Sequence, residues 1–215
     1  MPETYVLIGN ISVPLSWIAF LGAAIVTVCL LRWSFGKAVA NLFSDYLFTF
    51  ILVWKFSVVL TDFNVIWKSP WTILYFNGGT VGVLCALFAV AIHVLIHIRQ
   101  QKLHTHQLYA LSIGTMQLQS IIQIVFVIVY DETGLTRIVT VIGFSCILFM
   151  TVRWKEPRQL TTLEVNVLYF MAFLFLSAWQ QGRIWQLSVL YALIVSGILI
   201  GLYTYFEKKH MEVEL

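Results

Sequence analysis

The 215-residue chain is 60% hydrophobic and 11% charged, against roughly a quarter charged in an ordinary soluble domain. Thirteen Lys+Arg and ten Asp+Glu are too few to cover a water-facing surface, which excludes a soluble globule and makes a bilayer the natural solvent. The net charge of +3 comes without any run of five or more basic residues, so a nucleic-acid partner is excluded too. At about 20 residues per crossing, the length admits six to eight spans and is read as one helical bundle, a single transmembrane domain over residues 1–215.

Met1 to Asn10 carries Glu3 and no Lys or Arg. It lacks the basic flank of a cleavable signal peptide, so the first apolar stretch is expected to remain as a helix. Seven apolar runs follow, at Ile11–Leu31, Asn41–Leu60, Phe76–Ile98, Leu108–Tyr130, Ile138–Val152, Leu163–Gln181 and Trp185–Phe206. Hydrocarbon offers no partner to a bare N–H or C=O, and the runs lack the alternation of barrel strands, so each is predicted to be a helix. The fifth run is the shortest and has room to extend through Trp154. Turn-forming residues separate the runs at Lys68-Ser69-Pro70, Asp131-Glu132-Thr133-Gly134 and Lys155-Glu156-Pro157-Arg158. The expected fold class is therefore an all-α, polytopic membrane bundle of seven transmembrane helices.

Orientation follows from the basic residues, which short cytoplasmic loops retain. One side holds nine: Arg32, Lys37, Arg99, Lys102, Arg153, Lys155, Arg158, Lys208 and Lys209. The other holds Lys68, Arg137 and Arg183, and Lys55 falls inside a span. This places the N-terminus outside and the C-terminus in the cytoplasm. Trp33, Trp67, Trp71, Trp154 and Trp185 fall near span ends, where an indole keeps its N–H wet and its ring in lipid.

Polar residues inside the spans are the candidates for chemistry. Asp45 and Lys55 lie toward the ends of the second run, where water and snorkelling accommodate them. The fourth run carries Ser112, Gln117, Gln119, Ser120 and Gln123, a stripe turned toward the bundle interior, either for interhelical hydrogen bonds or for a polar headgroup. Gln180, Gln181 and Arg183 stand at the end of the sixth run, with Arg183 the cation best suited to a phosphate. His93 and His97 share a helix face at the spacing of helical metal sites, but no Glu between them completes a hydrolytic site, so they are read as polar residues near Arg99 and no metal is expected. Cys29, Cys85 and Cys146 sit in apolar stretches without a Cys-x-x-Cys pair and are read as packing residues.

The stretch Asn77-Gly78-Gly79-Thr80-Val81-Gly82 opens the third run. Glycines at a helix N-terminus let an anion approach the backbone, and they equally let helices pack closely. This stretch, together with the seven spans, the early Ile8-Gly9-Asn10-Ile11-Ser12-Val13 and the closing Gln186-Leu187-Ser188 to Gly201, resembles prolipoprotein diacylglyceryl transferase. That family opens its third core helix with His-Gly-Gly-Leu-Ile-Gly, and here Asn77 stands in place of the histidine. The family's Gly-Arg-Ile-Gly-Asn-Phe signature and the arginine of its sixth span have no counterpart in this chain.

The resemblance implies a bacterial plasma-membrane protein that binds phosphatidylglycerol, a membrane phospholipid, between its third, fourth and sixth helices. Asn77, Gly78, Gly79 and Gly82 would contact the phosphate, Gln119 and Gln123 the glycerol, and Arg183 would supply positive charge. Asn77 and Arg183 would then be the catalytic pair. A lipoprotein precursor's thiolate would attack the glycerol carbon that carries the phosphate, with no cofactor or metal. Two alternatives stand beside it: a catalytically inactive scaffold or accessory subunit of the same fold, partnered by another membrane protein, and a small transporter or redox partner built on Asp45, Lys55 and the cysteines.

Overall fold

A long apolar run in a chain with few prolines folds as a helix because the helix satisfies its own backbone, and the chain follows that rule almost throughout. The computed structural model describes residues 5–8, 11–61, 63–68, 78–129, 134–153, 162–180 and 187–213. Two short strands, β1 (Tyr5–Ile8) and β2 (Ile11–Pro14), precede α1 (Leu15–Phe35), α2 (Lys37–Phe56), α3 (Val58–Thr61) and α4 (Phe63–Lys68). After these come α5 (Gly79–Arg99), α6 (Thr105–Val129), α7 (Gly134–Arg153), α8 (Thr162–Ser177) and α9 (Leu187–Val213).

Six of these helices are long and apolar enough to cross a membrane, and α8 is a shorter apolar helix of 16 residues. The 21 residues of α1 span about 31 Å at 1.5 Å per residue, close to the thickness of a hydrocarbon core. Apolar side chains face outward along them: Ile25, Phe48, Phe88, Phe149 and Phe175 are each 62–68% exposed. Such a surface suits lipid, whereas in water it would be an aggregation hazard.

Two boundaries and the setting of the cysteines differ from the sequence expectation. The first run begins as a strand, because Ile11–Pro14 pairs antiparallel with Tyr5–Ile8, Ile8 opposite Ile11. The fifth run is not the shortest: α7 reaches back to Gly134 and has 20 residues, and the short helix is α8. The cysteines are not core packing either, since Cys29 and Cys146 are exposed and Cys85 is half-buried, all three as free thiols.

The chain divides into two compact units, Met1–Ala40 with Thr105–Tyr203, and Asn41–His104 with Thr204–Leu215. In the first, α6 packs most extensively, against α7 and α1. The core joins Tyr109, Ile113 and Met116 of α6, Phe144 of α7, Val165, Tyr169, Phe173 and Leu176 of α8, and Val189 and Ala192 of α9. Phe144 meets Phe173 edge-on, with ring centres 5.4 Å apart. Gly143 lets α7 approach α8 so closely that a Cβ there would collide with the Leu176 side chain.

In the second unit, α2 ends where the Ser57 hydroxyl donates to the Trp54 carbonyl at 2.7 Å. The same carbonyl accepts from the Gly78 N–H at 3.4 Å. A Cβ on Gly82 would stand 3.2 Å from that carbonyl oxygen and against the Ser57 hydroxyl. Backbone cannot yield as a side-chain tip can, so Gly82→Ala is expected to lower stability by about 1–3 kcal/mol. Gly22, with open space around its Cβ position, is expected to gain about 0.5–1 kcal/mol as Ala. Thermal unfolding of the two purified variants in detergent checks both signs.

Candidate functional site: a buried polar wall

The first unit buries polar side chains on three adjacent helices. Gln117, Ser120 and Gln123 come from α6, Thr136 and Thr140 from α7, and Tyr169 and Ser177 from α8, with Gln180 in the turn that follows. The α6 residues repeat every three, the α7 pair is four apart and the α8 pair eight, spacings that put each set on one helix face.

One end of this wall is hydrogen-bonded across elements. The Gln180 side-chain amide donates to Gln123 Oε1 at 3.3 Å, and the Thr136 hydroxyl donates to the Trp179 carbonyl at 3.1 Å. Those bonds hold the turn in which α8 gives out, where Trp179 and Gln180 bond back to Leu176 and Ser177. Non-helical backbone is tolerated in an apolar medium only where protein surrounds it, and Gln180 is buried accordingly.

The remainder of the wall has no such partners among the described residues. Both amide atoms of Gln117 and the hydroxyls of Ser120, Thr140, Tyr169 and Ser177 are buried without a hydrogen bond. The Ser120 and Tyr169 hydroxyls are adjacent but outside hydrogen-bond geometry. The contrast with other hydroxyls in the same helices is informative: Ser112, Thr115 and Thr151 each donate to a carbonyl three or four residues back. Helical serines and threonines ordinarily have that escape, and these do not take it. A buried polar atom left bare costs about 1–3 kcal/mol, so a cluster of them marks a place where water or a ligand belongs.

The predicted site residues are placed as follows. Asn77 and Arg183 lie outside the described residues. Gly78, Gly79 and Gly82 belong to the second unit; Gly78 and Gly82 sit against Ser57, and Gly82 also against Trp54, while Gly79 adopts a φ of +54° in open space. Two of the three glycines therefore serve close packing. Gln123 belongs to the wall through Gln180, whereas Gln119 is only half-buried. Gln117, fully buried, takes the deeper place, and Thr140, Tyr169 and Ser177 were missed. Their i, i+4 repeats with Thr136 and Phe173 were the available signal, hidden because each helix is otherwise apolar. Trp33 and Trp67 are well exposed; Trp71, Trp154 and Trp185 lie outside the described residues.

Six helices of membrane-crossing length, outward apolar faces and a polar interior define a multi-pass membrane protein. Compared with models of known families, with curated proteins and with solved structures, the chain matches none.

The two parts of the wall differ in what a substitution does. Gln123→Leu strips the Gln180 amide of its acceptor and is expected to cost about 1–3 kcal/mol. Gln117→Leu removes an unpaired group and is expected to be neutral or stabilising in lipid-free protein. Unfolding midpoints of the two variants, measured side by side after delipidation, distinguish them.

Proposed function

We propose that the chain is a multi-pass protein of the bacterial plasma membrane that holds the glycerol moiety of a phosphatidylglycerol-like lipid against the polar wall of α6, α7 and α8, in the seven-span architecture of a prolipoprotein diacylglyceryl transferase. The observation that supports this reading is the set of bare, buried hydroxyl and amide groups on Gln117, Ser120, Thr140, Tyr169 and Ser177. They are uncharged and mix donors with acceptors, the complement of a polyol rather than of an ion. A lipid is also the ligand that brings hydroxyl groups to a site within apolar helices, because its tails remain in hydrocarbon. The short α8 counts as a seventh span, and the nine-to-three distribution of basic residues supports an outside N-terminus and a cytoplasmic C-terminus.

Binding and turnover are separate steps in this reading. Asn77 in place of the family's histidine can hydrogen-bond but cannot take a proton near neutral pH, and α8 contains no Lys or Arg. Those substitutions favour a lipid-binding accessory subunit as the second reading. In either case, chain purified from membranes is expected to retain one phosphatidylglycerol, detected by native mass spectrometry, with retention reduced at least tenfold in a Gln117→Leu/Ser120→Ala variant. Equal retention by that variant would refute the wall as the site.

Turnover is decided by complementation of cells depleted of their own transferase. Restored lipidation of a reporter lipoprotein, lost in Asn77→Ala or Arg183→Ala, establishes the transferase. Absence of rescue despite verified membrane insertion leaves the accessory role. Reporter fusions after Phe35, Arg99, Arg153 and Val213 are expected to report the cytoplasm.

A further inference from the structure

The second unit contains a cluster that the lipid-binding reading does not use. His93 and His97 lie one turn apart on α5, both half-buried, with ring centres 4.7 Å apart. Two hydroxyls of α2 hold their inner nitrogens: Tyr46 Oη is 2.7 Å from His97 Nδ1, and Thr49 Oγ1 is 3.1 Å from His93 Nδ1. Tyr46 is itself buried, and its ring stands edge-on to His93 at 5.0 Å and tilted to His97 at 5.7 Å. Each imidazole is thereby fixed by α2 through a bond and a ring contact.

The hydrogen bonds are compatible with one tautomer on both rings. The Thr49 hydroxyl lies 3.0 Å from the Asp45 carbonyl; when it donates there, its oxygen is the acceptor toward His93, and His93 then carries its proton on Nδ1 and its lone pair on Nε2. This is the arrangement by which metal-binding histidines are oriented, with the non-ligating nitrogen donating to a fixed acceptor. His97 reaches the same state when its Nδ1–H donates to the Tyr46 oxygen.

We propose that His93 and His97 form a two-imidazole chelate, through their Nε2 atoms, for one divalent transition-metal ion of the zinc or copper kind. With metal–nitrogen bonds of about 2.1 Å, two imidazoles on one ion at angles between about 90° and 110° have ring centres about 4.6–5.3 Å apart, and the 4.7 Å between His93 and His97 falls in that range. Imidazole is a ligand that suits zinc and copper. Among the described residues no group of three His, Cys, Asp or Glu comes together, and the proposed chelate is confined to these two imidazoles. The Asp45 carboxylate is exposed and within electrostatic range of His97, where its charge offsets that of an ion.

All of these residues lie in one compact unit, so the inference does not depend on the lipid site. The test is titration of the untagged full chain in nanodiscs with Cu²⁺ and, separately, Zn²⁺. One equivalent is expected to bind, with copper showing the electron paramagnetic resonance couplings of two nitrogens. Affinity is expected to fall at least tenfold in His93→Ala or His97→Ala, and about tenfold in Tyr46→Phe or Thr49→Val. It is expected to be unchanged in variants of the remaining histidines, His104, His106 and His210. Absence of one-equivalent binding, or binding that survives the loss of both His93 and His97, overturns the proposal. Should the alanine variants fail to fold, acylation of histidines in the wild-type chain by diethylpyrocarbonate decides: protection of His93 and His97 by Zn²⁺ supports the chelate, and modification of both irrespective of metal refutes it.

Discussion

The constraint on which the structure turns is hydrogen-bond closure in an apolar medium. Bulk water does not reach a polar group inside apolar helices, so each must meet another part of the protein, a buried water or something brought in with the membrane. Helix α6 carries the greatest share of this demand. It is buried around much of its circumference and packs against α1 and α7, yet Gln117, Ser120 and Gln123 interrupt its apolar character. Gln123 is closed by Gln180, while Gln117 and Ser120 have no hydrogen-bond partner among the described residues. The difference between a structural polar contact and a candidate site is made by that closure.

Close approach in the two units is achieved by small residues, each in its own way. Gly143 brings α7 against Leu176 of α8, and Gly78 and Gly82 bring the start of α5 against Ser57 at the end of α2. Without a hydrophobic driving force between helices in lipid, such contacts work through dispersion and short polar bonds. The Trp54 carbonyl illustrates the second kind, accepting from both the Ser57 hydroxyl and the Gly78 N–H. A glycine motif that reads as phosphate-binding in sequence is thus accounted for at two of its three positions by neighbouring backbone and side chain.

The helices were legible because a twenty-residue apolar run has only one well-satisfied conformation in hydrocarbon. Their ends were less so. Ile11-Ser12-Val13-Pro14 was read into the first helix because it is apolar and contiguous with it, but it has a cross-strand partner in Tyr5–Ile8 and carries the β-branched residues that suit a strand. The sixth run was read through Gln181, yet α8 ends at Ser177, where Thr136 and Gln123, distant in sequence, offer bonds to the turn at Trp179 and Gln180. Nothing local announces an end that is stabilised from another helix.

The candidate sites show the same division. That α6 carries a polar stripe, and that His93 and His97 share a face, follows from residue type and helical period alone. Which glutamine is left bare, and which hydroxyls orient the two imidazoles, depends on Thr140, Tyr169 and Ser177 in one unit and on Tyr46 and Thr49 in the other. By itself the sequence determined the solvent, the helical class and the approximate spans, because hydropathy and backbone satisfaction act over contiguous residues. Only the tertiary structure decided where the short helix stops and which polar groups are closed, because a hydrogen bond between residues 40 or 50 positions apart exists only once the helices have packed.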